Sequence, residues 1–236
     1  ELGFRSSVDG AQDHDIILRA VDRMMGEDRH AARKAKLPIA HIPKVLYHWR
    51  CYEGSTSENP ESKRYAYEAG KRAVEDFLKA REYQADVVHT CHLGFFRVNY
   101  QPDLLSNRPD TAVVGGKLID RHNRVVGGIY NENREPLYLG LHKEYSGYMH
   151  RASCQQEAYA VDVRCMICSG EAQAVWEELT GLPYVVQPHT GYFLYQDVLK
   201  KDADYEELSF RFCEELRRRG KRIVWDPEMV QRVDGR

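Results

Sequence analysis

The stretch "EAYAVDVRCMICSGEAQAVWEELTGL", residues 157–182, holds a complete strand-to-helix step. From Ala158 to Cys168 it is largely apolar, the pattern of a strand covered on both faces. Ser169 then stands where a helix N-cap belongs and Gly181 just past a helix end, so the residues between them read as a helix over about 170–180. A buried strand feeding straight into a helix is the repeating step of α/β proteins.

Working outward, "TAVVGGKLID" (111–120) and "RVVGGIY" (124–130) read as strands joined by the turn "DRHN". A helix over 204–219 leads into a last strand, "KRIVWDPEM" (221–229), while residues 136–156 are aromatic, polar and irregular. Toward the start, the spacing predicts helices over 12–25 and 61–82, the second with a stripe of Tyr65, Ala69, Ala73, Val74, Phe77 and Leu78. Strands are expected near 38–46, 111–119, 160–168 and 222–226, in a mostly parallel or mixed sheet with flanking helices. The expected organisation is a unit over 1–83, connecting strands over 84–110 and a second unit over 111–236.

The 34 basic and 36 acidic residues nearly cancel and no basic stripe stands out, which argues against a nucleic-acid partner. No apolar run approaches the roughly 18–20 residues that span a bilayer, and the opening "ELGFRSSVDG" has neither the basic nor the apolar region of a secretory leader. A soluble, cytoplasmic protein is the expectation, and a start without Met suggests a piece of something longer. Six cysteines form no disulfide framework. Cys165 and Cys168 make a C-x-x-C without a second pair at finger-like spacing, and His89, Cys91 and His92 lack a zinc-site context. They read as core thiols on opposite faces of one strand, with no metal bound.

The stretch "DGAQDHDIILRA" (9–20) places Asp13 and Asp15 at the head of the first helix, before an apolar series of Ile16, Ile17, Ala20, Val21, Met24 and Met25. Acidic residues there complement the helix dipole, so capping is one reading and chemistry the other. "IAHIPKV" (39–45) and "IVWDPEM" (223–229) share a spacing of aliphatic, bulky and Pro residues, and each follows an acidic-led helix. This predicts an internal repeat whose two copies superpose.

The pair "GFRSSVDGAQDHDIILRA" and "IAHIPKVLYHWRCYEGSTS", with "AVVGGKLIDRHNRVVGGIY" and "AVDVRCMICSGEAQAVWEELTGLPY", resembles the C-terminal half of family-2 type nucleotide-sugar glycosyltransferases, including bacterial polysaccharide and rhamnan-type enzymes. The resemblance covers about half of the chain and implies a partial GT-A (Rossmann-like) fold in tandem. It implies that Asp13 is the base that deprotonates the acceptor hydroxyl, whose pKa is far above neutrality. Asp15 would support or cap. The resemblance also implies that Arg50 and Ser55 meet the donor diphosphate and that His48 approaches a metal, the alternative being an ordinary surface loop. In the second copy the acidic pair blurs among Asp204, Glu206 and Glu207.

The donor-binding half with its strand-end Asp-x-Asp is not recognisable in the sequence. Asp13-His14-Asp15 and Asp202-Ala203-Asp204 each lead into a helix instead. No cofactor is expected on this chain, although Mg²⁺ or Mn²⁺ would serve a complete parent enzyme. The implied partners of that parent are a nucleotide sugar, a glycan acceptor and membrane-associated polysaccharide assembly machinery. The isolated chain is expected to transfer no sugar, and a non-catalytic glycan-binding or scaffolding module is the alternative.

Overall fold

The computed structural model describes residues 2–25, 39–40, 42–48 and 64–233. The chain divides into two compact units, residues 1–102 and 103–236. The first contains a 3-10 turn at Ser6–Val8, helices α1 (Gln12–Met25) and α2 (Arg64–Ala80), and strands β1 (Ala85–His89) and β2 (Phe96–Tyr100). β1 and β2 pair antiparallel from Ala85 opposite Tyr100 to His89 opposite Phe96.

The chain turns into α1 at Gly10, whose φ of +93° suits glycine and where a Cβ would press on Tyr65 and Ala66. The Gln12 side chain reaches back to accept the Gly10 N–H at 2.8 Å, closing the turn. Val8, Ala11, Ala69 and Ala73 form the small core here, with Leu18 packed against it. Ala11, just before α1, with the buried Asp15 and the half-buried Leu18 on it, forms one stripe at helical spacing. This corrects the expected apolar series, because Ile17 and Met24 are exposed.

The expected strand near 38–46 is not formed among the described residues, and its resemblance to 223–229 does not extend to structure. Ile39, Ile42, Val45, Leu46 and Tyr47 are exposed in irregular backbone, whereas Ile223–Met229 lies inside a strand. β-branched residues favour extended backbone, but a strand also needs a neighbour for its N–H and C=O groups.

The second unit opens with the short helix α3 (Leu104–Asn107), capped by Asp103, which accepts the Ser106 N–H at 2.8 Å. It continues through β3 (Thr111–Ile119), β4 (Val125–Gly127), β5 (Ile129–Tyr130), β6 (Gln156–Glu157), β7 (Ala160–Val161) and β8 (Met166–Cys168). Helices α4 (Gly170–Thr180), α5 (Tyr195–Val198) and α6 (Tyr205–Arg218) precede β9 (Arg222–Arg232). The main sheet runs β4-β3-β9-β6, with β8 also paired to β3, and β5 and β7 form a separate ladder.

The unit is mixed α/β. Of the main sheet's pairings, β3 with β9 is parallel, while β3–β4, β3–β8 and β6–β9 are antiparallel. Of the expected alternatives, mostly parallel or mixed, the sheet is mixed. β3 is buried along its whole length. Gly115 and Gly116 at its centre are required by close approach: a Cβ on the first would overlap Val161, and on the second the Met229 carbonyl. β9 is longer than expected because it absorbs Pro227 in an irregularity between the Gly115–Trp225 and Lys117–Val230 pairs.

The apolar run 158–168 is not one strand. Asp162 and Arg164 break it into β7 and β8, which join different ladders. Cys165 consequently lies in the bend, where its carbonyl accepts the Gly116 N–H at 2.9 Å, and Cys168 ends β8. The expected placement of the two thiols on opposite faces of one strand is thus corrected, although both are buried. α4 matches its expected span, with Ser169 Oγ accepting the Ala172 N–H and Gly181 left-handed at the end. The core closes around Trp176, whose ring meets Phe193 at 4.9 Å and Phe212 at 5.3 Å, both edge-on.

Candidate functional site

In the first unit the two acidic residues of α1 divide their roles. Asp13 is exposed, and its Oδ1 accepts the neighbouring His14 N–H at 2.8 Å. Among the described residues no Lys or Arg pairs with it, and it does not cap an N–H two or three positions on. Asp15 is buried and ion-paired with both Arg5 and Arg19. Burial opposes its charge, but hydrogen bonds from Arg5 and Arg19 hold its carboxyl below the usual range. Arg5 continues to Asp76 at 2.8 Å, and Arg19 to the Gly3 carbonyl at 2.7 Å, so one carboxylate ties residues 3–5 to both helices.

His48 is exposed in irregular backbone, and Arg50 and Ser55 lie outside the described residues. The three acidic residues at the head of α6 point to different tasks. Asp204 caps the helix, accepting the Glu207 N–H at 2.9 Å. Glu207 pairs with Arg134 at 3.2 Å. Glu206 lines a cleft.

That cleft has a volume of about 960 Å³. Its walls include Asp120, Arg164, Tyr195, Gln196, Glu206 and Tyr205, and Lys201, Asp202 and Asp204 also reach it. Asp120 follows β3 and folds back to accept the His122 and Arg124 N–H groups at 2.8 and 2.9 Å; the Arg124 bond does most to lower its pKa. α6 and the β7–β8 turn are joined by Ser209, whose buried hydroxyl accepts the Val163 N–H at 3.0 Å and donates to the Tyr205 carbonyl at 2.6 Å.

The turn carries Arg164 into the cleft wall. Arg164 Nε and Nη2 donate to the two oxygens of Asp162 at 2.9 and 2.8 Å, and its backbone N–H also donates to Asp162 at 3.0 Å. Asp162 is fully buried and accepts a further bond from the Tyr130 hydroxyl at 3.1 Å. The Arg164 guanidinium lies 4.7 Å from the Tyr205 ring, which meets Tyr195 edge-on at 6.0 Å. Burial works against the Arg164 charge, but the bond to Asp162 holds its pKa above the ordinary arginine value. Burial, then the Asp162 charge, pushes the Tyr130 phenol far up, so it remains a donor.

Sequence reasoning found Glu206 and Asp204 but not Arg164, Asp162, Tyr195 or Gln196. The available signal was a charged i,i+2 pair inside an apolar run, which is costly in a strand unless the charges satisfy each other.

Among the described residues no site suits Mg²⁺ or Mn²⁺. Asp15 is committed to two guanidinium groups, Asp204 to a helix cap, and no group of three His, Cys, Asp or Glu among the described residues is arranged to hold a metal.

The chain is similar to the uncharacterized protein y4gI of Sinorhizobium fredii (strain NBRC 101917 / NGR234), with 44% identity over 79 residues. Those residues are 33% of this chain and 8% of that protein, so the match spans a small part of the relative's length. No family model and no solved structure matches the chain. Among the described residues no helix is long and apolar enough to cross a membrane.

Proposed function

We propose that this chain is a module derived from GT-A nucleotide-sugar glycosyltransferases and that its second unit binds a glycan in the cleft headed by α6. The observation that carries this reading is the cleft's lining: an amide (Gln196), carboxylates (Asp202, Glu206), a guanidinium (Arg164) and two tyrosines (Tyr195, Tyr205) around a volume of about 960 Å³. A sugar ring has hydroxyls that both donate and accept and C–H faces that pack on aromatics. Such a mixture of few oriented polar groups and amphipathic rings suits it.

Transfer within a longer protein is a second reading, favoured by Asp13. Its exposed carboxylate is held at a helix start by the Asp15–Arg5–Arg19 frame while remaining unmatched by a cation among the described residues. A base that takes a proton from an acceptor hydroxyl needs that freedom. Among the described residues no set of groups is placed to stabilise a departing diphosphate, and the chain alone is expected to transfer nothing.

Isothermal titration tests the reading. Neutral oligosaccharides should bind the chain, while UDP- and dTDP-sugars, with or without Mn²⁺, should not. Binding of the nucleotide sugars but of no oligosaccharide would overturn it.

A further inference from the structure

The cleft contains a cation whose charge is cancelled from behind. Arg164 lines the cavity with about a fifth of its side chain exposed (22%), yet its Nε and Nη2 are both spent on a carboxylate with no exposure at all. Asp162 touches no solvent and lies in the turn between β7 and β8, so a ligand in the cleft meets the arginine and not its counter-charge. A surface pair would be screened and exchangeable, but a two-point pair with a buried partner is fixed in geometry and charge. Arg164 Nη1 makes no hydrogen bond among the described residues, so it offers N–H donors on a pair that is neutral overall.

The rest of the lining adds to this. Asp120, Asp202, Asp204 and Glu206 face the same space with Lys201 as the other cation, so the cleft has no surplus positive charge for a phosphate. An arginine normally attracts phosphate by charge and fork geometry together. Here the fork's long edge is used up and the charge is matched.

We propose that Asp162 is a charge mask: it cancels the Arg164 charge within a hydrogen-bond-donating pair that is neutral overall, so the cleft accepts uncharged hydroxyl groups and refuses phosphorylated ligands. The refusal of anions rests on the Asp162–Arg164 pair together with the carboxylates of the cleft, and not on the glycan reading. The acceptance of hydroxyls rests on the glycan reading above. In this account Arg164 is the specificity-determining contact and Asp162 a positioning residue that acts through it.

The probe is inorganic pyrophosphate, titrated calorimetrically into the whole chain. The wild type should show no binding at millimolar concentration. Asp162→Asn keeps the shape of the side chain but removes the mask, and should bind pyrophosphate at least about tenfold more tightly than the wild type. Adding Arg164→Gln to that variant should erase the gain. Pyrophosphate binding by the wild type, or a folded Asp162→Asn variant that gains none, overturns the mask. The wild-type titration keeps the claim exposed even where Asp162→Asn does not fold, as judged by near-UV circular dichroism. A parallel titration with methyl α-rhamnoside, a neutral sugar, separates the two claims. Failure there with the pyrophosphate results intact removes the glycan reading and leaves the mask standing.

Discussion

Arg19 Nε donates to the Asp15 carboxylate at 2.8 Å across one turn of α1, and the same guanidinium reaches the Gly3 carbonyl at 2.7 Å. Arg5 binds the other side of that carboxylate, so the buried acid fastens the opening turn of the chain to α1. Because Asp15 has its pKa lowered in the folded protein, its contribution is fully present above the ordinary carboxylate range near ~4 and is lost as pH falls through the lowered value. The wild type should therefore unfold at lower urea concentration on acidification below about pH 4. Asp15→Asn should cost about 2 kcal/mol at neutral pH, less than a wholly buried pair because the arginines are 35% and 26% exposed. It should also flatten the acid dependence. An unchanged dependence in that variant would place the titrating group elsewhere.

Asp204 and Glu206 are two residues apart and should behave differently. Asp204→Ala removes the cap of α6 and should cost about 1 kcal/mol. Glu206→Gln should change stability by less than about 0.5 kcal/mol, while altering ligand binding in the cleft. Chemical denaturation of both variants checks the contrast. Equal losses would mean that both acids serve the helix.

The thiols divide by burial. Cys165, Cys168 and Cys213 lie in the core, and burial raises all three, Cys213 to about 12. Since the thiolate is the reactive form, these three should resist a disulfide reagent until the protein is unfolded, whereas exposed Cys91 should react at once. Mass spectrometry after brief labelling assigns the sites. Rapid modification of Cys165 or Cys168 in folded protein would contradict the packing of β8.

Glycine positions give a paired test of the sheet. Gly116→Ala drives a methyl into the Met229 carbonyl and should destabilise by about 2 kcal/mol or more. Gly170→Ala, at the first position of α4 with open space around it, should stabilise by roughly 0.5 kcal/mol. Thermal melts of the two should move in opposite directions.

The helices and the central strands were legible where local chemistry agreed with tertiary packing. Ser169 and Gly181 bracket α4 because a cap and a left-handed end are local requirements. β3 was visible as an apolar run, but its pairing was not, since nothing in "TAVVGGKLI" distinguishes a parallel neighbour from an antiparallel one. Residues 39–48 show the reverse: a β-branched pattern makes no strand among the described residues, because pairing is a property of the neighbour. Of the site, the acids at the head of α6 were legible from type and spacing. Asp162 and Arg164 were hidden by the hydrophobic residues around them, and only the fold shows that their turn faces the cleft.

The central claim is that the cleft at the head of α6 holds a glycan. Amide-resolved NMR titration of the whole chain with neutral oligosaccharides tests it most directly. The account predicts saturable shifts at Arg164, Gln196, Tyr205 and Glu206, lost in Tyr205→Ala. Saturable shifts confined to other residues, or none at Arg164 and Tyr205 while UDP- or dTDP-sugars produce them, would contradict it.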